Sequence, residues 1–129
     1  MTDASLVATR GAVPVAFRIL ALALPVLIGG QVFLAGLAIF SDGSMWEVHA
    51  VMGGVLALPI LGLAGLALAR PALRAYRLPV ILLFALYCLQ FVFVIAGEGI
   101  GVIQALHPTN AVAMTVVSVL LARTARTER

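Results

Sequence analysis

The third of four long apolar stretches decides the fold: residues 78–97 read LPVILLFALYCLQFVFVIAG. A helix needs about 20 residues to cross the hydrocarbon core of a bilayer, and this stretch carries no charged side chain. Similar stretches occupy residues 15–40, 46–69 and 101–122. The runs are too long and continuous for the strands of a membrane barrel. The sequence therefore predicts an all-α membrane protein, an antiparallel bundle of four transmembrane helices made of two repeated helical hairpins.

The composition is typical of a chain that lies almost wholly in the bilayer. Of the 129 residues, 64% are hydrophobic and 10% are charged, whereas in a soluble domain about half are apolar and about a quarter charged. The mean hydropathy is +1.19. Four spans with short connections use up the length, so we expect residues 1–129 to form a single transmembrane domain. The single cysteine, Cys88, excludes a disulfide or a CxxC pair within one chain.

The charged residues predict the orientation of the chain. Asp42, Glu47 and Glu98 lie near the first and third connections, whereas every basic residue is an arginine at a terminus or in the 70–77 connection. Because arginine-rich segments stay on the cytoplasmic side, we expect an integral protein of the bacterial inner (cytoplasmic) membrane with both termini cytoplasmic. The high isoelectric point then reflects orientation and attraction to anionic lipid heads, and nucleic-acid binding is not expected. The arginines are Arg10, Arg18, Arg70, Arg74, Arg77, Arg123, Arg126 and Arg129.

A cleaved signal peptide is the alternative interpretation of the first stretch, because arginines precede an apolar run that contains Ala35-Gly36-Leu37-Ala38. The apolar core of a signal peptide is only about 7–15 residues long. Residues 15–40 exceed that length, and cleavage would leave an odd number of spans. We therefore expect the first span to be retained.

Polar side chains recur at matching places in the two hairpins. Gln31 precedes His49 by 18 positions, and Gln90 precedes His107 by 17. Each hairpin thus carries a glutamine on its first helix and a histidine on its second, in one layer near the outer ends of the helices. The second and fourth helices of an up-down bundle lie on a diagonal, so we expect both imidazoles to face a common axis.

Two facing histidines within a bilayer need partners, because unpaired polar groups are costly in lipid. A haem b held on both faces satisfies them, and a low-spin bis-histidine iron is a natural electron carrier. The expected iron ligands are His49 and His107. Gln31 and Gln90 are expected to hold the imidazole N–H groups or to contact the edge of the ring.

Two further residues are assigned to the cofactor site. Gly53 lies one turn after His49, where the absence of a side chain leaves room for a flat ring. Asn110 is expected to help hold the propionates at the outer aqueous boundary. The expected partners are the lipid bilayer and haem, with a quinone, other membrane redox subunits or a second copy of the chain as further candidates.

The layout of these residues resembles one half of haem A synthase and, more loosely, other four-helix membrane b-type cytochromes. It reads Gln31, Trp46-Glu47-Val48-His49, Gln90 and His107-Pro108-Thr109-Asn110, over nearly the whole chain. A group of small four-span bacterial proteins shares it. The resemblance implies haem ligation by His49 and His107. In the synthase a glutamate one turn before a histidine takes part in the chemistry, whereas Glu47 lies two positions before His49, so the resemblance implies an electron carrier or binding protein more than a catalyst.

Two other functions fit the same residues. His49 and His107 with Glu47 or Glu98 would form a two-histidine, one-carboxylate site for zinc, copper or non-haem iron near the outer surface. Alternatively, the polar layer joins the helices of a structural or assembly subunit in a larger membrane complex.

The predicted orientation is testable with single cysteines in a Cys88→Ala background. Ser44→Cys places a thiol in the first connection, and Ala72→Cys places one among the arginines of the second. We expect a membrane-impermeant maleimide to label Ser44→Cys in spheroplasts, and Ala72→Cys only after permeabilisation, because arginine-rich connections stay cytoplasmic. The reverse labelling pattern would contradict the orientation.

Overall fold

The computed structural model describes residues 12–127, and over that part of the chain it contains helices and no strand. Four segments are long and apolar enough to cross a membrane, and α2 and α3 together form the second of them. The predicted all-α four-helix transmembrane bundle is confirmed, and the chain is an integral membrane protein. The helices are α1 (Val15–Phe40), α2 (Met45–Val55), α3 (Ala57–Ala69), α4 (Arg77–Ile95) and α5 (Gly101–Thr127), with a 3-10 helix (Pro71–Tyr76) between α3 and α4.

The spans form a closed square. Each span packs on the next one in the chain, and α1 also packs on α5. Neither α2 nor α3 packs extensively on α5, so the second and fourth spans lie on a diagonal, as predicted. This arrangement allows side chains from the two diagonal helices to meet at the centre.

The apolar core fills the arginine-bearing half of the bundle. In α1 it is a stripe of residues three or four apart, a spacing that puts side chains on one helical face. Phe17 also packs edge to face on Tyr76, with ring centroids 5.0 Å apart. By contrast, α2 buries no residue, so apolar packing is sparse in the half that carries the histidines. The buried stripe of α1 is Phe17, Ala21, Leu24 and Ile28, and it meets Ile60, Leu63, Val80, Leu83, Met114 and Leu121.

The connection between the second and third spans is a packed element. The sequence indicated only a charged connection over residues 70–77, but Leu73 and Tyr76 of the 3-10 helix are buried in the core. The guanidinium of Arg77 donates to the carbonyls of Ala67 at 2.9 Å and Leu68 at 3.2 Å. Because the last carbonyls of a helix lack intrahelical donors, Arg77 caps α3 in addition to carrying topogenic charge.

The second span is interrupted at Leu56, which the sequence analysis did not predict. Pro59 has no N–H to donate to the carbonyl four residues before it, and this weakens the helix locally. The hydroxyl of Tyr87 on α4 donates to the carbonyls of Gly53 at 3.0 Å and Gly54 at 3.3 Å. Since lipid offers no replacement partner, this contact ties α4 to α2 next to the interruption.

Local constraints shape the two outer turns. The backbone N–H of Ser44 donates to Asp42 Oδ1 at 2.9 Å, and bonds from Ser44 lower the pKa of the Asp42 carboxyl. Between α4 and α5, Gly99 has a φ of +76°, in the region that favours glycine. A Cβ on Gly97 would overlap the Phe93 carbonyl oxygen. The turn between α4 and α5 therefore fixes where α5 begins and hence the position of His107 along the bundle axis.

The helix of the fourth span, α5, extends further than its apolar stretch. The apolar stretch that predicts this span ends at residue 122, whereas α5 continues to Thr127. Arg126 lies in the last turn, where a cation interacts favourably with the helix dipole. The apolar stretch therefore predicts the part of α5 that is suited to lipid, and the helix continues beyond that part.

Removal of the Tyr87 hydroxyl is expected to destabilise the bundle. Tyr87→Phe deletes the bond to the α2 carbonyls and should lower the free energy of unfolding by about 0.6–2 kcal/mol, the range for hydrogen bonds between transmembrane helices. The measurement is reversible unfolding in bicelles. Thr109→Val is the matched control, because the Thr109 hydroxyl bonds only within its own helix, to the Ala105 carbonyl at 3.0 Å. Equal losses in the two variants would contradict a joining role for Tyr87.

Candidate functional site

The two histidines meet at the centre of the open half of the bundle. The ring centroids of His49 on α2 and His107 on α5 are 6.2 Å apart, and the ring planes are inclined by 67°. Both side chains are partly buried. The two diagonal helices therefore bring together the pair that the sequence pattern predicts to share an axis.

Each imidazole is held in the same way by the preceding helix of its own hairpin. His49 Nδ1 lies 3.0 Å from the backbone oxygen of Gln31, and His107 Nδ1 lies 3.1 Å from that of Gln90. A carbonyl oxygen can only accept, so in each ring Nδ1–H is the donor. The neutral imidazole then keeps its lone pair on Nε2, the nitrogen left for a ligand.

The separation of the rings distinguishes between metal geometries. Two imidazoles on opposite sides of one metal, with bonds of about 2.0 Å and about 1.1 Å more to each ring centre, have centroids about 6.2 Å apart. A tetrahedral angle at the metal would bring the centroids to about 5 Å. The observed separation is 6.2 Å, close to the first of these two values.

The two glutamine positions that were expected to hold the imidazole N–H groups do so through their backbone oxygens. At Gln90 an end of the side-chain amide also lies close to the ring, 3.2 Å from His107 Nδ1. The Gln90 amide satisfies both its ends when its nitrogen faces the His107 carbonyl at 2.9 Å and its oxygen faces the Ala111 N–H at 3.3 Å.

Gln31 differs from Gln90 in its side chain. The side-chain oxygen Oε1 of Gln31 is buried and has no hydrogen-bond partner among residues 12–127. It lies beside Gly53, 3.9 Å from where a Cβ would be. A buried acceptor without a donor is costly, so this oxygen marks the side of the layer at which a bound group with a donor would be stabilised.

The space around the histidines is open on one side. α2 packs on α1 but not extensively on α4, although the lower part of the same span, α3, does pack on α4. The bonds from Tyr87 to α2 close the floor of this gap. We call it the α2/α4 cleft. For Gly53, predicted to leave room for a ring, the place of the missing Cβ is nearest to the Gln31 side chain on α1, at 3.9 Å from Oε1.

Asn110 lies away from the outer boundary. It is buried, and its Nδ2 donates to the Leu86 carbonyl at 2.7 Å. It follows His107 by nearly one turn along α5 and so lies towards the packed half. In this position the amide joins α5 to α4 beneath His107, and its nitrogen is not directed at the outer rim.

Aromatic contacts complete the layer, and the sequence analysis did not assign them to the site. The Trp46 ring contacts the His49 ring edge to face, with centroids 5.7 Å apart. Trp46 precedes His49 by three residues, a spacing that puts both side chains on one helical face. Tyr87 and Phe91, four apart on α4, contact each other at 5.1 Å.

The three-ligand metal site is not assembled in the described structure. Within residues 12–127 no three His, Cys, Asp or Glu side chains lie close enough together to hold an ion. Glu47 and Glu98, the two proposed carboxylate ligands, are exposed. Of the candidate ligands, the described structure brings together the two histidines.

Comparison with known proteins gives a family but no activity. A family of unknown function, DUF6220, matches residues 31–97. The matched segment begins at Gln31 and includes His49, Gly53 and Gln90. No curated protein and no solved structure matches the chain.

The Nδ1 bonds can be tested directly. We expect ¹⁵N-histidine solid-state NMR of the neutral imidazoles to show both rings protonated at Nδ1 and unprotonated at Nε2. Gln31→Ala should leave the His49 tautomer unchanged, because the accepting atom belongs to the backbone. A ring protonated at Nε2, or a tautomer change in Gln31→Ala, would contradict this arrangement.

Proposed function

We propose that this chain, which belongs to the DUF6220 family, is a membrane b-type haem protein in which His49 and His107 are the two axial ligands. The observation that carries the proposal is the pair of Nδ1 bonds to backbone carbonyls together with the 6.2 Å between the rings. The bonds leave Nε2 of each ring as the nitrogen available to a ligand, and the ring separation is close to that of two imidazoles on opposite sides of one iron.

The backbone carbonyls prepare the histidines for ligation. A histidine ligand commonly donates its second ring N–H to a carbonyl or carboxylate, which fixes the tautomer and the ring orientation. Here Gln31 and Gln90 supply those carbonyls at equivalent places in the two hairpins. Each hairpin thus presents one oriented ligand, and the bundle brings the two ligands to opposite sides of the axis.

The residues around the histidines fit a flat, largely apolar group. Gly53 adds no bulk beside His49, and the sparse packing of this half leaves space that the arginine-bearing half fills with its core. Two cavities in the described chain, of about 180 and about 50 Å³, are too small for a porphyrin. A macrocycle would therefore enter through the α2/α4 cleft, with Phe91 and Trp46 as apolar neighbours.

Haem held by two histidines is low-spin and exchanges single electrons. The residues of this chain orient the ligands, limit water and hold the helices at a fixed separation. Asn110 and Tyr87 hold the helices at a fixed separation, because each donates a hydrogen bond to a carbonyl of a neighbouring helix. Propionates would lie at the outer aqueous boundary, since the described residues offer them no arginine at that end.

The location follows from the arginine distribution. We infer that the chain lies in the bacterial cytoplasmic membrane with both termini cytoplasmic and the histidine layer near the outer face. A quinone or another membrane redox subunit would exchange electrons with the site there, and a second copy of the chain could share the membrane face.

A structural role is the second candidate, because the imidazole–carbonyl bonds by themselves join helices within each hairpin. For the alternative of a zinc, copper or non-haem iron site, the two histidines are close together, but within residues 12–127 no carboxylate lies close enough to be the third ligand. Zinc would also favour the shorter tetrahedral separation of the rings.

The colour of the purified protein tests the proposal. Protein expressed with haem available, or titrated with haemin in detergent, should show an intense Soret band and sharp α and β bands on reduction, at one haem per chain. His49→Ala and His107→Ala should each abolish the low-spin spectrum, because each removes one axial ligand. Thr109→Val, which alters a lipid-facing hydroxyl next to the site, should retain it.

Other outcomes would overturn the assignment. A colourless protein that fails to take up haemin but carries stoichiometric zinc or copper would support the metal site. A colourless, metal-free protein that copurifies with other membrane subunits would support the structural role. An unchanged spectrum in either histidine variant would exclude that residue as a ligand.

A further inference from the structure

A second site lies at the other end of the bundle from the histidines. A cavity of about 180 Å³ separates the start of the third span from the end of the fourth. Its lining is mostly apolar and comes from the 3-10 helix, the first turn of α4 and the last turns of α5. The lining residues are Ala75, Tyr76, Pro79, Leu120, Leu121 and Thr124.

The size and character of the cavity suit a hydrocarbon chain. An apolar cavity of about 150 Å³ in another protein stays dry and binds benzene, so this one has room for several methylene groups of an acyl chain. The lining residues face a region that the bilayer surrounds, where lipid is the most abundant apolar ligand. Transfer of each methylene group from water into an apolar cavity contributes about 0.8 kcal/mol to the free energy of binding. The contribution is smaller when the acyl chain is transferred from lipid, which is already apolar.

Two arginines adjoin lining residues of the cavity in the sequence. Arg74 directly precedes Ala75 of the lining, Arg123 directly precedes Thr124, and both arginines are exposed. Arg77, by contrast, is used to cap α3. Within residues 12–127 the acidic side chains all lie at the opposite end, at Asp42, Glu47 and Glu98, so no described carboxylate competes for these guanidinium groups.

We propose that the cavity, Arg74 and Arg123 together bind one anionic phospholipid, with a segment of acyl chain in the cavity and the phosphate beside the two arginines. Guanidinium groups bind phosphate through paired, charge-assisted hydrogen bonds. Basic pockets between transmembrane helices on the cytoplasmic side are typical sites for anionic head groups. The proposal is independent of haem binding, because no lining residue contacts the histidine layer.

The test is a lipid titration of the full-length protein in a neutral detergent. Phosphatidylglycerol should form a one-to-one adduct in native mass spectrometry and raise the melting temperature. Phosphatidylcholine with the same chains, and inorganic phosphate, should bind at least about five-fold more weakly, because one lacks net negative charge and the other lacks the chain. Equal binding of phosphatidylcholine, or of phosphate alone, would overturn the assignment.

Variants separate a defined site from diffuse charge. Arg74→Gln and Arg123→Gln should each weaken phosphatidylglycerol binding about five-fold, and Thr124→Leu should weaken it by filling the cavity. Arg70→Gln makes the same change in charge at the end of α3, away from the lining, and should have a much smaller effect. An equal loss in Arg70→Gln would refute the site. Melting temperatures measured without lipid identify any variant that fails to fold. If an arginine variant does not fold, Thr124→Leu still tests the site, because it fills the cavity without removing a charge.

Discussion

Inside a bilayer a histidine N–H finds no water, and in this protein each imidazole donates its Nδ1 hydrogen to a backbone carbonyl of the preceding helix. The bond satisfies a polar group that would otherwise be costly in lipid. It also fixes the tautomer and joins the two helices of each hairpin. The orientation of the site and the register of the hairpins therefore have one physical cause, present once in each half of the chain.

The two halves of the bundle perform different tasks. Apolar side chains from all four spans and the 3-10 helix fill the arginine-bearing half, and the Phe17–Tyr76 contact extends this core to the connection. The histidine half relies on a few polar contacts, chiefly those of Tyr87 and Asn110 with carbonyls of neighbouring helices. Apolar packing thus stabilises mainly the arginine-bearing half, and the candidate site residues lie in the histidine half.

Much of this arrangement could be predicted from the sequence because hydropathy and charge act locally. The span at residues 15–40 and the matched Gln31–His49 and Gln90–His107 pairs are visible as patterns along the chain. The interruption at Leu56 and the position of Asn110 were not predictable in this way. The first lies beside the carbonyls of Gly53 and Gly54, to which the Tyr87 hydroxyl donates from another helix. The second depends on a bond to the Leu86 carbonyl, so both involve contacts of the packed bundle.

The absence of any buried residue in α2 has a thermodynamic consequence. Although α2 packs on α1, it contributes no side chain to the buried core, so its displacement requires less free energy than the unfolding of the core. A ligand that bridged His49 and His107 would restrict α2, and its apparent affinity would include that loss of conformational entropy. By the same linkage, occupancy would stiffen the second span, and a substitution that stiffened the second span beforehand would tighten binding without contacting the ligand.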